Sequence, residues 1–97
     1  ESYTTNSLNI GKQGNGQGQC VLYKVTLNNS GATINSTFTF RDMTPAYTVL
    51  SKVPTCTACS GTTAPALNNA GELTGTLNSV VGGQSYEFSF GVRYVGQ

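Results

Sequence analysis

The sequence predicts an all-β sandwich of six or seven short strands, and three observations predict it. The stretch Ser85 to Val95 alternates with a period of two, placing Tyr86, Phe88, Phe90, Val92 and Tyr94 on one face and Ser85, Glu87, Ser89, Gly91 and Arg93 on the other. Several more segments alternate in the same way and are separated by Gly- and Asn-rich turns. No segment shows helical spacing with caps. An apolar face of that size is worth roughly 1.5–3 kcal/mol per large side chain when buried, so other strands must supply an opposing layer.

Taken in order, Glu1 to Asn6, at the start of a single domain spanning 1–97, is polar and reads as a frayed terminus or a linker to something upstream. Ser7 to Ile10 is a short candidate strand. Gly11 to Gln19 holds four glycines in nine residues and reads as a loop; no Gly-Lys-Ser/Thr opens a helix after it, which a phosphate-binding loop needs. In Cys20 to Asn28, Val21, Tyr23, Val25 and Leu27 share a face opposed by Lys24 and Thr26. Asn29 to Ala32 is a turn cluster. Ile34 to Arg41 alternates as a third strand, with Ile34, Ser36, Phe38 and Phe40 on one side. Asp42-Met43-Thr44-Pro45 breaks it, because Pro45 has no N–H for a ladder. Tyr47 to Val53 is a shorter strand. Pro54 to Gly71 is expected to be a long loop, with an edge strand near Ala66 and Leu67. Glu72 to Leu77 forms another strand on Leu73 and Leu77, and Gly82-Gly83-Gln84 is the turn into the last.

Composition excludes more than it selects. The chain has 97 residues, enough for one core and too few for two. Only 9% are charged and the net charge is +1, against roughly 25% charged in an average domain. No basic run marks a nucleic-acid surface, and no apolar run approaches the roughly 20 residues of a membrane-spanning helix. There is no signal peptide, so Glu1 reads as the start of a mature chain or of an excised fragment. Histidine is absent, which removes the usual general base, the Ser–His and Cys–His pairs and the commonest metal ligand. No catalytic residue, cofactor or metal is expected.

Three segments together carry a family resemblance. Leu22-Tyr-Lys-Val-Thr-Leu-Asn-Asn-Ser-Gly31 resembles the Y-x-V-T-x-x-N-x-G opening of the bacterial DUF11 repeat. Phe40-Arg-Asp-Met-Thr-Pro-Ala-Tyr-Thr48 is similar to its V-x-D-x-x-P-x-x-T turn. Gly75-Thr-Leu77, with Gly82 to Arg93, is similar to its closing strand. The match runs from about Cys20 to Val95; Gly83 stands where the family commonly has a Pro-Gly turn. The resemblance implies an immunoglobulin-like sandwich of about seven strands, repeated in tandem in bacterial surface or secreted proteins as spacers or adhesive segments. Asp42, Pro45, Gly82 and Gly83 would then be structural turn residues.

Cys56-Thr-Ala-Cys59 is the motif with a sharp chemical alternative. Zinc needs four ligands, and three Cys with no His do not complete a site. A redox dithiol needs a helix after the first Cys and a βαβ context. A disulfide within the loop is the expectation, restricting the unfolded chain by roughly 2 kcal/mol and implying an oxidising compartment. Cys20 is then a buried free thiol, or a partner of Cys56, Cys59 or a cysteine elsewhere. Lys24, Asp42, Glu87 and the many Asn raise a Lys–Asn isopeptide bond, set against a solvated surface pair worth roughly 0–1 kcal/mol. Asn28-Asn29-Ser30 and Asn35-Ser36-Thr37 fit the short glycosylation pattern. Four scattered acids do not make a calcium loop.

The functional expectation is a non-catalytic spacer or assembly module of a bacterial extracellular or cell-surface protein, with chain ends at opposite ends of the sandwich so that copies string together. Its partners would be neighbouring domains, another protein or a glycan. The alternative is a ligand-binding module, an adhesin or carbohydrate-binding sandwich, for which Tyr3 and Tyr47 are the aromatics expected to be exposed. A third possibility is self-assembly through an unpaired edge strand.

Overall fold

The computed structural model describes residues 3–5 and 19–96, with the backbone alone for 3–5. The segments expected as a strand at 7–10 and a loop at 11–18 lie outside the described residues. The strands are β1 (Tyr3–Thr5), β2 (Cys20–Asn28), β3 (Phe38–Met43), β4 (Thr48–Cys56), β5 (Gly61–Thr63), β6 (Glu72–Leu77) and β7 (Ser85–Tyr94). The described residues contain no helix. Six strands make two antiparallel three-stranded sheets, β2-β7-β4 and β3-β6-β5, and β1 adds a short parallel strand outside β2.

The central strand of the larger sheet is β7, the most regular alternating stretch of the sequence. Its register with β2 sets Val21 beside Val92, Tyr23 beside Phe90, Val25 beside Phe88 and Leu27 beside Tyr86. Both apolar rows therefore fall on one face, as the period of two requires. From the other sheet, Phe40, Leu73 and Leu77 meet this face, and together with Leu50 and Val80 they close one core. Phe40 stacks on Phe88 across the two sheets at 5.5 Å between ring centroids.

That stack depends on a glycine. Gly75 in β6 pairs with Phe40, and a Cβ added there would lie 2.9 Å from Cδ1 of Phe88 and 3.1 Å from Sγ of Cys59. Leu73 and Leu77, two residues to either side, fill the rest of the row. Small sits opposite large, so the sheets close without a void.

Several boundaries differ from the sequence reading. The third strand begins at Phe38, not Ile34: Ile34 makes only an isolated bridge to Val80. It also runs through Asp42 to Met43, because both residues pair with β6 before Pro45 removes a donor. Tyr47 is a turn residue with φ 63°, not the first strand residue; the turn closes by Thr48 N–H donating to the Pro45 carbonyl at 3.2 Å. β4 continues past Val53 to Cys56 and carries Pro54 inside it. Register shifts between Leu50 and Lys52, and again between Lys52 and Thr55, let an edge strand hold a proline. Gly61–Thr63 forms a strand inside the expected loop, whereas 66–67 does not.

The positions of the chain ends also correct the expectation. Tyr94 N–H donates to the Gln19 carbonyl at 2.9 Å, and Tyr3 lies beside Cys20, which pairs with Arg93. Residues 3, 19 and 95 therefore lie at one end of the larger sheet, here the near end. Antiparallel pairing of the first long strand with the last dictates this.

Candidate functional site

The far end is built from three connections: 29–37, 57–60 and 78–84. Asn29 holds two of them together. Its side-chain Oδ1 accepts from Gly31 N–H at 2.9 Å, an Asx-turn, while Nδ2 donates to the carbonyls of Ala32 and Val80 at 2.9 and 3.1 Å. Its backbone N–H donates to the Gln84 carbonyl, and its own carbonyl accepts from Gly83 N–H at 2.7 Å. The turn itself uses both glycines. Gly83 has φ +80°, and a Cβ on Gly82 would run into the Gly31 carbonyl oxygen. Gly82 N–H donates to Thr33 Oγ1 at 2.9 Å, and Val81 N–H to the Tyr86 hydroxyl at 2.8 Å. Ile34 and Val81 stand exposed on this braced surface.

Cys56 and Cys59 form the third part of the far end. They are joined as a disulfide, Cα to Cα 5.5 Å, within the span such bonds need. Cys56 is the last residue of β4 in one sheet, and Cys59 precedes β5 in the other. Thr57 N–H bonds to the Glu87 carbonyl and Ser60 N–H to the Thr76 carbonyl, at 2.9 and 2.8 Å. The ring thus sits at the crossing between sheets, with both sulfurs against the core.

Cys20 is buried at 2% exposure and is not in a disulfide. It pairs with Arg93 near one end of β7, and Cys56 pairs with Phe88, five residues away. At about 3.4 Å per residue that is roughly 17 Å, too far for Cys20 to bond Cys56 or Cys59 without moving strands.

The near end carries Asp42, Pro45 and Tyr47. Asp42 Oδ1 accepts from the N–H of Met43 at 2.8 Å. Pro45 accepts twice through its carbonyl, from Thr48 N–H and from Thr48 Oγ1 at 2.6 Å. Tyr47 is 49% exposed, as expected; the Tyr3 side chain lies outside the described residues. Thr44, which the sequence reading passed over, clips this turn to the 64–71 loop: Thr44 N–H donates to the Gly71 carbonyl and Thr44 Oγ1 accepts from Gly71 N–H, at 3.0 and 3.1 Å. No sequence signal marks Thr44, because a clip 27 residues apart is purely tertiary.

The residues of the isopeptide idea are not brought together. Lys24 and Glu87 are exposed on the outer face of the larger sheet, and Asp42 belongs to the other sheet. Asp42 lies instead near Tyr23, whose phenol is pushed above its usual pKa by burial and further by this carboxylate. Arg41 pairs with Glu72 at 3.0 Å. Among the described residues no three His, Cys, Asp or Glu cluster as metal ligands, and no helix is long and apolar enough to cross a membrane.

β1 covers β2 only at Cys20, Val21 and Leu22, so from Tyr23 to Asn28 no described strand pairs with its outer edge. Val25, in the inward row, is 39% exposed, and Phe38 of β3 is 36% exposed. Comparison with protein-family models, curated proteins and solved structures gave no match.

Proposed function

We propose that the chain is a non-catalytic, immunoglobulin-like β-sandwich module of a bacterial extracellular or cell-surface protein, of the DUF11 type, and that it serves assembly. The observation that carries this reading is the Cys56–Cys59 disulfide at the crossing between sheets. Such bonds persist in oxidising compartments, and a secreted module gains from a covalent clasp where its sheets exchange chain. The position of Gln19 beside Tyr94 favours a unit hung from one end over a link in a straight rod. Its neighbours would meet the near end, leaving the far end and the sheet edges for other partners.

The test is intact mass after rapid acid quench and alkylation of the exported protein. Two cysteines protected until reduction, mapped to Cys56 and Cys59, support the reading. Three alkylated thiols sink it.

A second reading, ligand binding at the far end, is favoured by Ile34 and Val81 exposed on loops that Asn29 holds rigid. A glycan-binding platform of coplanar aromatics is less well served, because Tyr86, Phe88, Phe90 and Tyr94 are all buried. Binding to a protein or glycan that is lost in the double variant Ile34→Ser, Val81→Ser would favour this reading over the first.

A further inference from the structure

Between Cys56 at the end of β4 and Gly71 before β6, the chain is moored unevenly. Of residues 57–70, only Cys59 and Pro65 are part-buried, and the rest are exposed. Pro65 lies against Gly71, and Asn68 and Asn69 bond to Leu50 through their backbones at 2.8 and 2.9 Å. The later half is therefore tied to its surroundings by several contacts. The earlier half holds β5, whose residues Gly61, Thr62 and Thr63 are all exposed. They pair with Thr76, Gly75 and Thr74 of β6, and the Thr63 and Thr74 hydroxyls bond to each other. No residue of β5 belongs to the core.

Among residues 57–63, Cys59 alone enters the sandwich. A Cβ on Gly75 would lie 3.1 Å from its Sγ and 2.9 Å from Cδ1 of Phe88, so sulfur and ring share the slot that Gly75 leaves. Cys59 is tied there through its bond to Cys56. Inside the ring Ala58 stands at φ 64°, a left-handed conformation that crowds an L side chain and persists only where surroundings impose it. Opening the ring lets Ala58 relax and carries Cys59 out of its slot.

From this arrangement we propose that Cys56–Cys59 is a redox latch on β5: a dithiol that reduces it releases β5 from the sheet while the rest of the sandwich stays folded. One thiolate of the reagent bonds to a protein sulfur, the S–S bond breaks, and the other cysteine leaves as a thiolate that takes up a proton. The second thiol of the reagent then displaces the remaining protein sulfur. Two electrons pass: the protein ends with two thiols and the reagent with one disulfide. Both cysteines are part-exposed and Thr57, Ala58 and Ser60 are exposed, so the ring is within reach of a reagent in solvent. Without the bond, β5 is left with hydrogen bonds between groups that water satisfies almost as well, and segments of that kind open locally. Release bares the edge of β6 from Thr74 to Thr76, whose other side stays paired with β3.

The latch rests on the exported-module reading above for its closed starting state. Backbone NMR relaxation of the full chain tests it, before and after dithiothreitol and again after reoxidation. In the oxidised chain, Ser60 to Thr63 should be as rigid as β7, with order parameters of about 0.85. After reduction they should fall below about 0.6 while β7 keeps its value, and reoxidation should restore them. The double variant Cys56→Ala, Cys59→Ala should match the reduced chain with no reductant present. A β5 that stays ordered after reduction overturns the latch. Loss of the whole sandwich on reduction overturns it too, because the bond would then hold the entire fold and not one strand. Free thiols at Cys56 and Cys59 in the exported protein would instead defeat the surface-module reading, leaving the relaxation result on chain oxidised in vitro untouched.

Discussion

The two central strands, β7 and β6, do the same topological job with opposite means. β7 fills its inward row with Tyr86, Phe88, Phe90, Val92 and Tyr94, all buried. β6 offers Leu73, Gly75 and Leu77, and its middle residue contributes nothing but space for Phe88. A core can thus be specified by an absence on one strand as firmly as by bulk on the other. The two halves should fail differently when changed.

Phe88→Ala removes the bulk. With Phe88 fully buried and stacked on Phe40, the loss should be about 3–5 kcal/mol, read as a fall in the urea midpoint at constant m. Gly75→Ala removes the space and should cost about 1–3 kcal/mol by overpacking. The sharper form of the comparison is the double variant Gly75→Ala, Phe88→Leu. If slot and ring form one unit, its loss will be less than the sum of the single losses; simple additivity would show that the fit between them is incidental.

Away from the stack the effects shrink. Reduction of Cys56–Cys59 should lower stability by about 2 kcal/mol, since the ring closes only a short loop. Tyr47→Gly should raise stability by about 1 kcal/mol, because Tyr47 holds a left-handed φ of 63° that costs an L side chain about that much. Thermal melts of the reduced protein and of the Tyr47→Gly variant check both signs.

The smallest effect is at Tyr23, on the margin of the core. Burial and then Asp42 raise its phenol pKa, so the folded state favours the protonated phenol. Its contribution is fully present below the unfolded value near 10 and is lost as pH rises through the folded value. Asp42→Asn should move the phenolate absorbance titration down toward 10. A titration that does not move would remove Asp42 as a cause.

What the sequence made legible follows the same division. The faces of β7 and β2 were readable because a period of two over nine or ten residues leaves one register that buries the apolar row. The turn at Gly82 and Gly83 was readable because only glycine suits a φ of +80° without strain. The shift of the third strand to Phe38 was not, since Ile34 to Arg41 alternates without a break and only pairing with β6 decides where the ladder starts. Nor was the path of β4, where Pro54 signals a loop unless the register shifts that admit it are seen. Nothing in the sequence around Gly75 shows that the Phe88 ring packs over it, because that contact joins the two sheets.

Gln19 beside Tyr94 has a mechanical consequence. Tension applied between residues 19 and 95 would pull β2 and β7 apart from their shared end, loading the hydrogen bonds of the ladder one after another like the teeth of a zip. Strands pulled from opposite ends share the load among all their bonds at once. Peeled this way, the ladder between β2 and β7 would open at lower force than strands sheared from opposite ends.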